Sequence, residues 1–111
     1  MSIKQLSIGN TAIRLLVADT FFLRLRGLLG RTFDGFDALM LIPCSSIHMI
    51  GMKYPIDAVF LDSSGRVLKV VSDIHPGTLY VGHSKAKAVI EMPSGRAGKL
   101  GIVVGTTVLF R

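Results

Sequence analysis

The sequence predicts a mainly β fold, a small β-sandwich or partly open barrel with one or two short helices. Three observations carry this expectation. Short apolar or alternating runs recur along the chain, most of them end at glycine- or proline-containing turns, and no repeated βα alternation separates them. Half of the 111 residues are apolar and 18% are charged, enough to bury one core and too little chain for a second. The chain is read as a single domain, 1–111.

Residues 3–8 alternate apolar and polar side chains, meet Gly9-Asn10, and resume over 12–18, which reads as a β-hairpin. Asp19-Thr20 can cap a helix, and Phe21, Phe22, Leu25, Leu28 and Leu29 fall at the spacing of an amphipathic one. Gly30 is expected to close it, while Gly27 inside it implies close packing. A strand over 38–42 ends at Pro43, and 47–50 is a further extended piece. Residues 56–61 are apolar on both faces, as an interior strand requires, and Asp62-Ser63-Ser64-Gly65 turns them into a partner over 66–74. A loop from His75 to Ser84, a strand over 86–92, a short helix ending near Gly101 and a last strand over 106–110 complete the reading.

No apolar run approaches the roughly 20 residues of a membrane-spanning helix, and no membrane partner is expected. The first residues alternate too early for a secretory signal. Cys44 is the only cysteine, so no internal disulfide can form, and a free thiol suits a reducing, cytoplasmic setting. The net charge of +6 favours weak attraction to polyanions, with Arg24, Arg31, Lys85 and Lys99 as candidates. Nucleic-acid binding is not expected, because single-strand binders interleave bases with exposed aromatics, and the eight aromatics here mostly fall in apolar patterns that predict burial.

One segment gathers the chemistry. Residues 43–57 hold Cys44, His48, Met49, Met52 and Asp57. Cys44 and His48 are four apart, which puts both on one face of either an extended or a helical backbone. Thiolate, imidazole and the Met52 thioether are soft donors suited to Cu(I), and Asp57 in place of the thioether suits Zn(II). Against this, no Cys-x-x-Cys pair or second nearby histidine is present, and the plainer reading makes Cys44 and the methionines core residues. A Cys44 nucleophile activated by His48, which Asp57 could orient across strands, is a third reading, and enzymatic activity is the less favoured class because catalytic pairs usually come from distant segments and no pocket-forming second domain is visible.

Two acids lie among apolar neighbours. Asp57 shares a face with Val59 and Leu61 and needs a partner to offset its desolvation, either a base or the Tyr54-Pro55 turn. Glu91, within Ala88-Val89-Ile90-Glu91-Met92, is expected to be exposed or, by preference, paired with a base. Arg96 and Lys99, at a glycine-containing helix start, form a weak anion-binding candidate that falls short of a phosphate loop, since no Ser or Thr follows Lys99.

The block Pro43-Cys44-Ser45-Ser46-Ile47-His48, followed by residues 51–62, resembles the family known as domain of unknown function 192. The likeness extends to Arg26-Gly27-Leu28-Leu29-Gly30-Arg31 and to Ala88-Val89-Ile90-Glu91-Met92-Pro93-Ser94-Gly95. It implies a compact β-rich domain with short helices, mainly prokaryotic and without established activity. Two positions depart from the family pattern: Ile50 stands where an aromatic is usual, and Gly105-Thr106 where glycine-aspartate is usual. The reading is thus an uncharacterised binding or interaction module, with a site around Cys44, His48, Met52 and Asp57. A protein partner or self-association, a Cu or Zn site, and a polyanion surface stay open.

Overall fold

A computed structural model describes residues 2–110. Strands β1 (Ser2–Ile8) and β2 (Thr11–Ala18) form the first hairpin, followed by helix α1 (Phe21–Arg26), β3 (Ala38–Leu41) and β4 (Ser46–Ile47). Next come β5 (Ile56–Leu61), β6 (Val67–Ile74), β7 (Val81–Gly82), β8 (Ala88–Pro93), helix α2 (Arg96–Lys99) and β9 (Leu109–Phe110). Seven strands build one sheet in the order β6-β5-β8-β3-β2-β1-β9, and β4 pairs with β7 in a separate ribbon. All pairings are antiparallel except β2 with β3, which the long excursion through α1 makes parallel.

The sheet curls until its two ends meet. After β6, residues 105–108 cross back toward β1: Val67 N donates to Thr106 O at 2.8 Å, Val108 N donates to Gly65 O at 3.0 Å, and Arg66 bridges Thr107. Gly65 is required there, because it holds φ of 81° and a Cβ would lie 2.9 Å from Val108 O. This curl is the partly open barrel expected from the turn-punctuated strands.

Strand alternation sorts the core into two clusters, one on each face of the sheet. Leu15, Val17, Met40, Val59, Leu61, Ile90 and Met92 face the inside of the curl with Ala97 of α2. Leu16, Leu39, Leu41, Ala58, Phe60 and Val89 face outward and are covered by Leu28, Ile47 and Met49. Strand β5 is buried at all six positions because neither face is left to water, which explains its continuous apolar run.

Several boundaries differ from expectation. Thr20 does cap α1, its Oγ1 accepting from Leu23 N at 3.2 Å. The helix ends at Gly27 rather than Gly30, since Gly27 adopts φ of 53° and ψ of −128° and turns the chain out of helical register. The apolar spacing is therefore cut: Leu28 reaches the sheet, while Phe21, Phe22 and Leu25 remain exposed, Phe22 at 78%. The second extended piece is Ser46–Ile47 rather than 47–50, because only these residues find a partner, in β7, within the expected loop. The last strand is confined to Leu109–Phe110, as residues 105–108 are spent closing the curl.

Asp57 has no exposure and faces the inner cluster side of β5. Its partner is neither a base nor the Tyr54-Pro55 turn. The pairing of β5 with β6 slips between Ile56 and Ala58, and the extra residue on β6 leaves Asp73 N without a ladder acceptor. Asp57 Oδ1 accepts from that amide at 2.9 Å, and Oδ2 accepts from Ala97 N at the start of α2 at 3.0 Å. One carboxylate thus ties a bulge and a helix start to the central strand. Replacing Asp57 with Ala leaves two backbone donors short of an acceptor and is expected to cost about 2–4 kcal/mol in urea unfolding; a loss under about 0.5 kcal/mol would contradict this role.

Candidate functional site

A cavity of about 240 Å³ opens on the outer face of the sheet. One wall is α1 and the loop after it, through Phe21, Leu25 and Leu29; the facing wall is segment 44–52, through Cys44, His48, Ile50 and Met52. Leu41 and Glu91 of the sheet are buried beneath both walls and form the floor. The local sequence explains the opening. Gly27 has no side chain, and a Cβ at its position would stand 3.4 Å from Glu91 Oε1 and 3.7 Å from Leu41 Cδ2. Close packing at Gly27, expected from its place in the helical pattern, is therefore packing over a carboxyl group.

The cavity brings together Cys44, His48 and Met52 of the sequence-predicted site and leaves out Asp57, which faces the other side of the sheet. Cys44 Sγ donates to Ser46 O at 3.1 Å. Its thiol is pushed up by burial, with the Glu91 carboxylate adding to the effect, the reverse of what a thiolate ligand or nucleophile needs. His48 Nδ1 accepts from Ile50 N at 3.2 Å, so the neutral ring presents its proton on Nε2. Among the described residues, no three of His, Cys, Asp and Glu converge in a way that could hold a metal ion.

Glu91 is the residue whose setting the sequence did not anticipate. It is 5% exposed, and it pairs with no base among the described residues. Strand pairing sets it between Leu39 of β3 and Ala58 of β5 in the outer apolar cluster. Oε1 has no hydrogen-bond partner among the described residues. Nearby donors are committed elsewhere: Cys44 to Ser46 O, and the Tyr54 hydroxyl to Arg31 O at 2.9 Å. Burial raises the Glu91 carboxyl to about 7. The available signal was a charged residue in a strand apolar at every neighbouring position, which marks a buried acid without naming its surroundings.

The basic candidates do not share one surface. Arg24 Nη1 donates to Pro43 O at 2.8 Å and Arg31 Nε donates to Gly27 O at 2.9 Å, both bracing the loops around the cavity. Lys85 lies exposed in the loop before β8. Arg96 and Lys99 belong to α2 on the inner face, and the amide of Ala97 at that helix start is already taken by Asp57. The chain's own carboxylate holds the position that an incoming anion would need.

The model of the family DUF192, described as "Uncharacterized ACR", matches residues 4–110. The chain belongs to this family. It is 35% identical over 100 residues to a UPF0127 protein of Thermococcus sibiricus, covering 86% of this chain and 64% of the relative, so it spans less than two thirds of that protein's length. A UPF0127 protein of Pyrococcus abyssi is 34% identical over 97 residues, covering 83% of this chain and 81% of the relative. A crystal structure of a protein of unknown function from Novosphingobium aromaticivorans superimposes with a TM-score of 0.83 at 24% identity, covering 96% of this chain and 84% of that one. The family has no established activity, and these likenesses carry the DUF192 fold alone.

The position of Glu91 has a pH signature. Because its carboxyl is raised from 4.5 to about 7, the folded protein retains a proton that the unfolded chain has released, so stability falls as pH rises through that window and is level above it. A Glu91→Gln variant lacks this loss. It is expected to gain about 3 kcal/mol relative to the parent between pH 4.5 and pH 8, read from urea unfolding at both values. An unchanged difference between the two proteins across that range would contradict the burial of an unpartnered carboxyl.

Proposed function

We propose that the protein is a small-molecule binding module whose site is the cavity between α1 and segment 44–52. The observation that carries this reading is the orphan oxygen of Glu91 beneath a hollow with mainly apolar walls. A buried acceptor without a partner costs about 1–3 kcal/mol, and such costs are concentrated where a ligand supplies the missing contact. Apolar walls with a few convergent polar groups are the general make-up of a ligand site. Cys44, His48 and Met52 are wall residues in this reading, Asp57 is a structural anchor, and the free thiol supports a cytosolic setting.

Binding is favoured over thiol catalysis because Cys44 is pushed toward its neutral form and its hydrogen is engaged with a backbone carbonyl. Binding is also favoured over a Cu or Zn site, since the donors that share the cavity supply no converging set of three among the described residues. Self-association or a protein partner keeps one supporting feature, the exposed Phe21 and Phe22 beside the cavity mouth.

The reading is tested by titrating ¹⁵N-labelled protein with a fragment library and following backbone amides. The expected result is a subset of fragments that shift amides of residues 24–29, 44–52 and 91 together. Shifts confined to other surfaces, or none from any fragment at millimolar concentration, would overturn it.

A further inference from the structure

The volume and the polar inventory of the cavity restrict what it can hold. About 240 Å³ equals roughly eight water volumes at ~30 Å³ each, so the occupant is a small molecule or a short chain. Its body must be apolar to lie against Leu25, Leu29, Ile50 and Met52. Its head must answer Glu91 Oε1, which is without a donor.

Among the described residues no group donates to Oε1. Tyr54 and Cys44 point their hydrogens at backbone carbonyls, and Arg24 donates through Nε to Thr20 O and through Nη1 to Pro43 O. Arg26 donates through Nε to Leu29 O. Gly27 lies directly over the carboxyl, where a Cβ would stand 3.4 Å from Oε1. An ionised carboxylate in a dry setting gains most from a donor that also carries positive charge, because charge-assisted hydrogen bonds are about twice as strong as neutral ones. A carboxylate head would instead meet Glu91 as a like charge, and an alcohol would bring the donor without the charge.

We infer that the cavity selects small primary amines with a short apolar chain, the ammonium group pairing with the carboxylate of Glu91, which lines the cavity, and the chain lying between α1 and segment 44–52. This inference rests on the cavity being a ligand site, and it adds the chemical class of the ligand. Occupancy by such an amine favours the ionised form of Glu91, so binding is coupled to loss of the Glu91 proton. The other titratable or charged groups facing this region are Cys44, His48, Tyr54, Arg24 and Arg26. None of these is a carboxylic acid, and Arg24 and Arg26 are themselves cations, which leaves Glu91 as the anion that can hold the ammonium.

Hexylamine, hexanol and hexanoate, which share one chain and differ in head group, separate the inference from the reading beneath it. Affinities are measured from amide shifts of the full chain at pH 7.5 and pH 5.5, in the parent, in Glu91→Gln and in Lys85→Gln. The amine is expected to bind at least tenfold more tightly than the alcohol at pH 7.5. That preference should shrink severalfold at pH 5.5, vanish in Glu91→Gln, and persist in Lys85→Gln, an exposed residue outside the cavity. If hexanol or hexanoate shifts the cavity amides as strongly as the amine, or Glu91→Gln keeps the preference, the amine inference is overturned while the ligand-site reading stands. If none of the three shifts cavity amides in the parent, the amine inference is overturned, and the fragment titration decides the ligand-site reading separately. Should Glu91→Gln fail to fold, the preference of amine over alcohol and its pH dependence in the parent and in Lys85→Gln decide the amine inference.

Discussion

Strands β5 and β8 are covered on both faces, so any acid placed on them must find its hydrogen-bond donors within the protein. The chain places one acid on each: Asp57 on β5 facing the inner cluster, and Glu91 on β8 facing the outer one. They are near neighbours in the ladder, Asp57 opposite Met92 and Ala58 opposite Glu91, yet the faces give them opposite outcomes. On the inner side the bulge in β6 and the start of α2 deliver two amides to Asp57. On the outer side the covering layer delivers apolar walls, a glycine and no donor to Oε1 of Glu91. The rest of the architecture follows from where the covering elements can and cannot satisfy these groups.

That contrast separates a satisfied acid from an unsatisfied one within one sheet. Asp57 closes a local deficit, because it accepts from backbone groups that would themselves be unpaired without it. Glu91 opens one. The loop after α1 is held over it by bonds that bypass it: Arg31 to Gly27 O, Arg26 to Leu29 O and Tyr54 to Arg31 O. These brace the lip of the cavity and keep its walls apart, so the hollow is maintained by the same loop that fails to fill it. The sequence resemblance includes both the Arg26 to Arg31 stretch and the strand bearing Glu91, and these two blocks meet at the cavity.

The sheet was largely legible from the amino-acid order. Gly9-Asn10 and Asp62-Ser63-Ser64-Gly65 mark hairpins because turn chemistry is local, and the unbroken apolar run at 56–61 marks an interior strand because both its faces are covered. Helix α1 was legible in its start and not in its packing. Spacing reports which residues share a face, whereas what covers that face depends on the chain's exit, and Gly27 turns Leu28 inward while leaving Phe21, Phe22 and Leu25 outside. Cys44, His48 and Met52, which lie close in sequence, line one cavity. Asp57 was grouped with them by proximity along the chain, but strand alternation and partners 16 and 40 residues away send it to the other face. Glu91 joins the cavity from 43 or more residues away from its other polar members, a distance no spacing rule spans.

The central claim is that Glu91 is a buried carboxyl whose Oε1 has no hydrogen-bond partner among the described residues. Its side-chain carboxyl carbon, followed by ¹³C NMR in ligand-free protein across pH 4 to 9, reports this directly. A titration midpoint near 7 is the result the account requires. A midpoint in the ordinary glutamate range would mean that water or a neighbouring group satisfies the carboxylate, and the cavity would lose the feature that makes it a site.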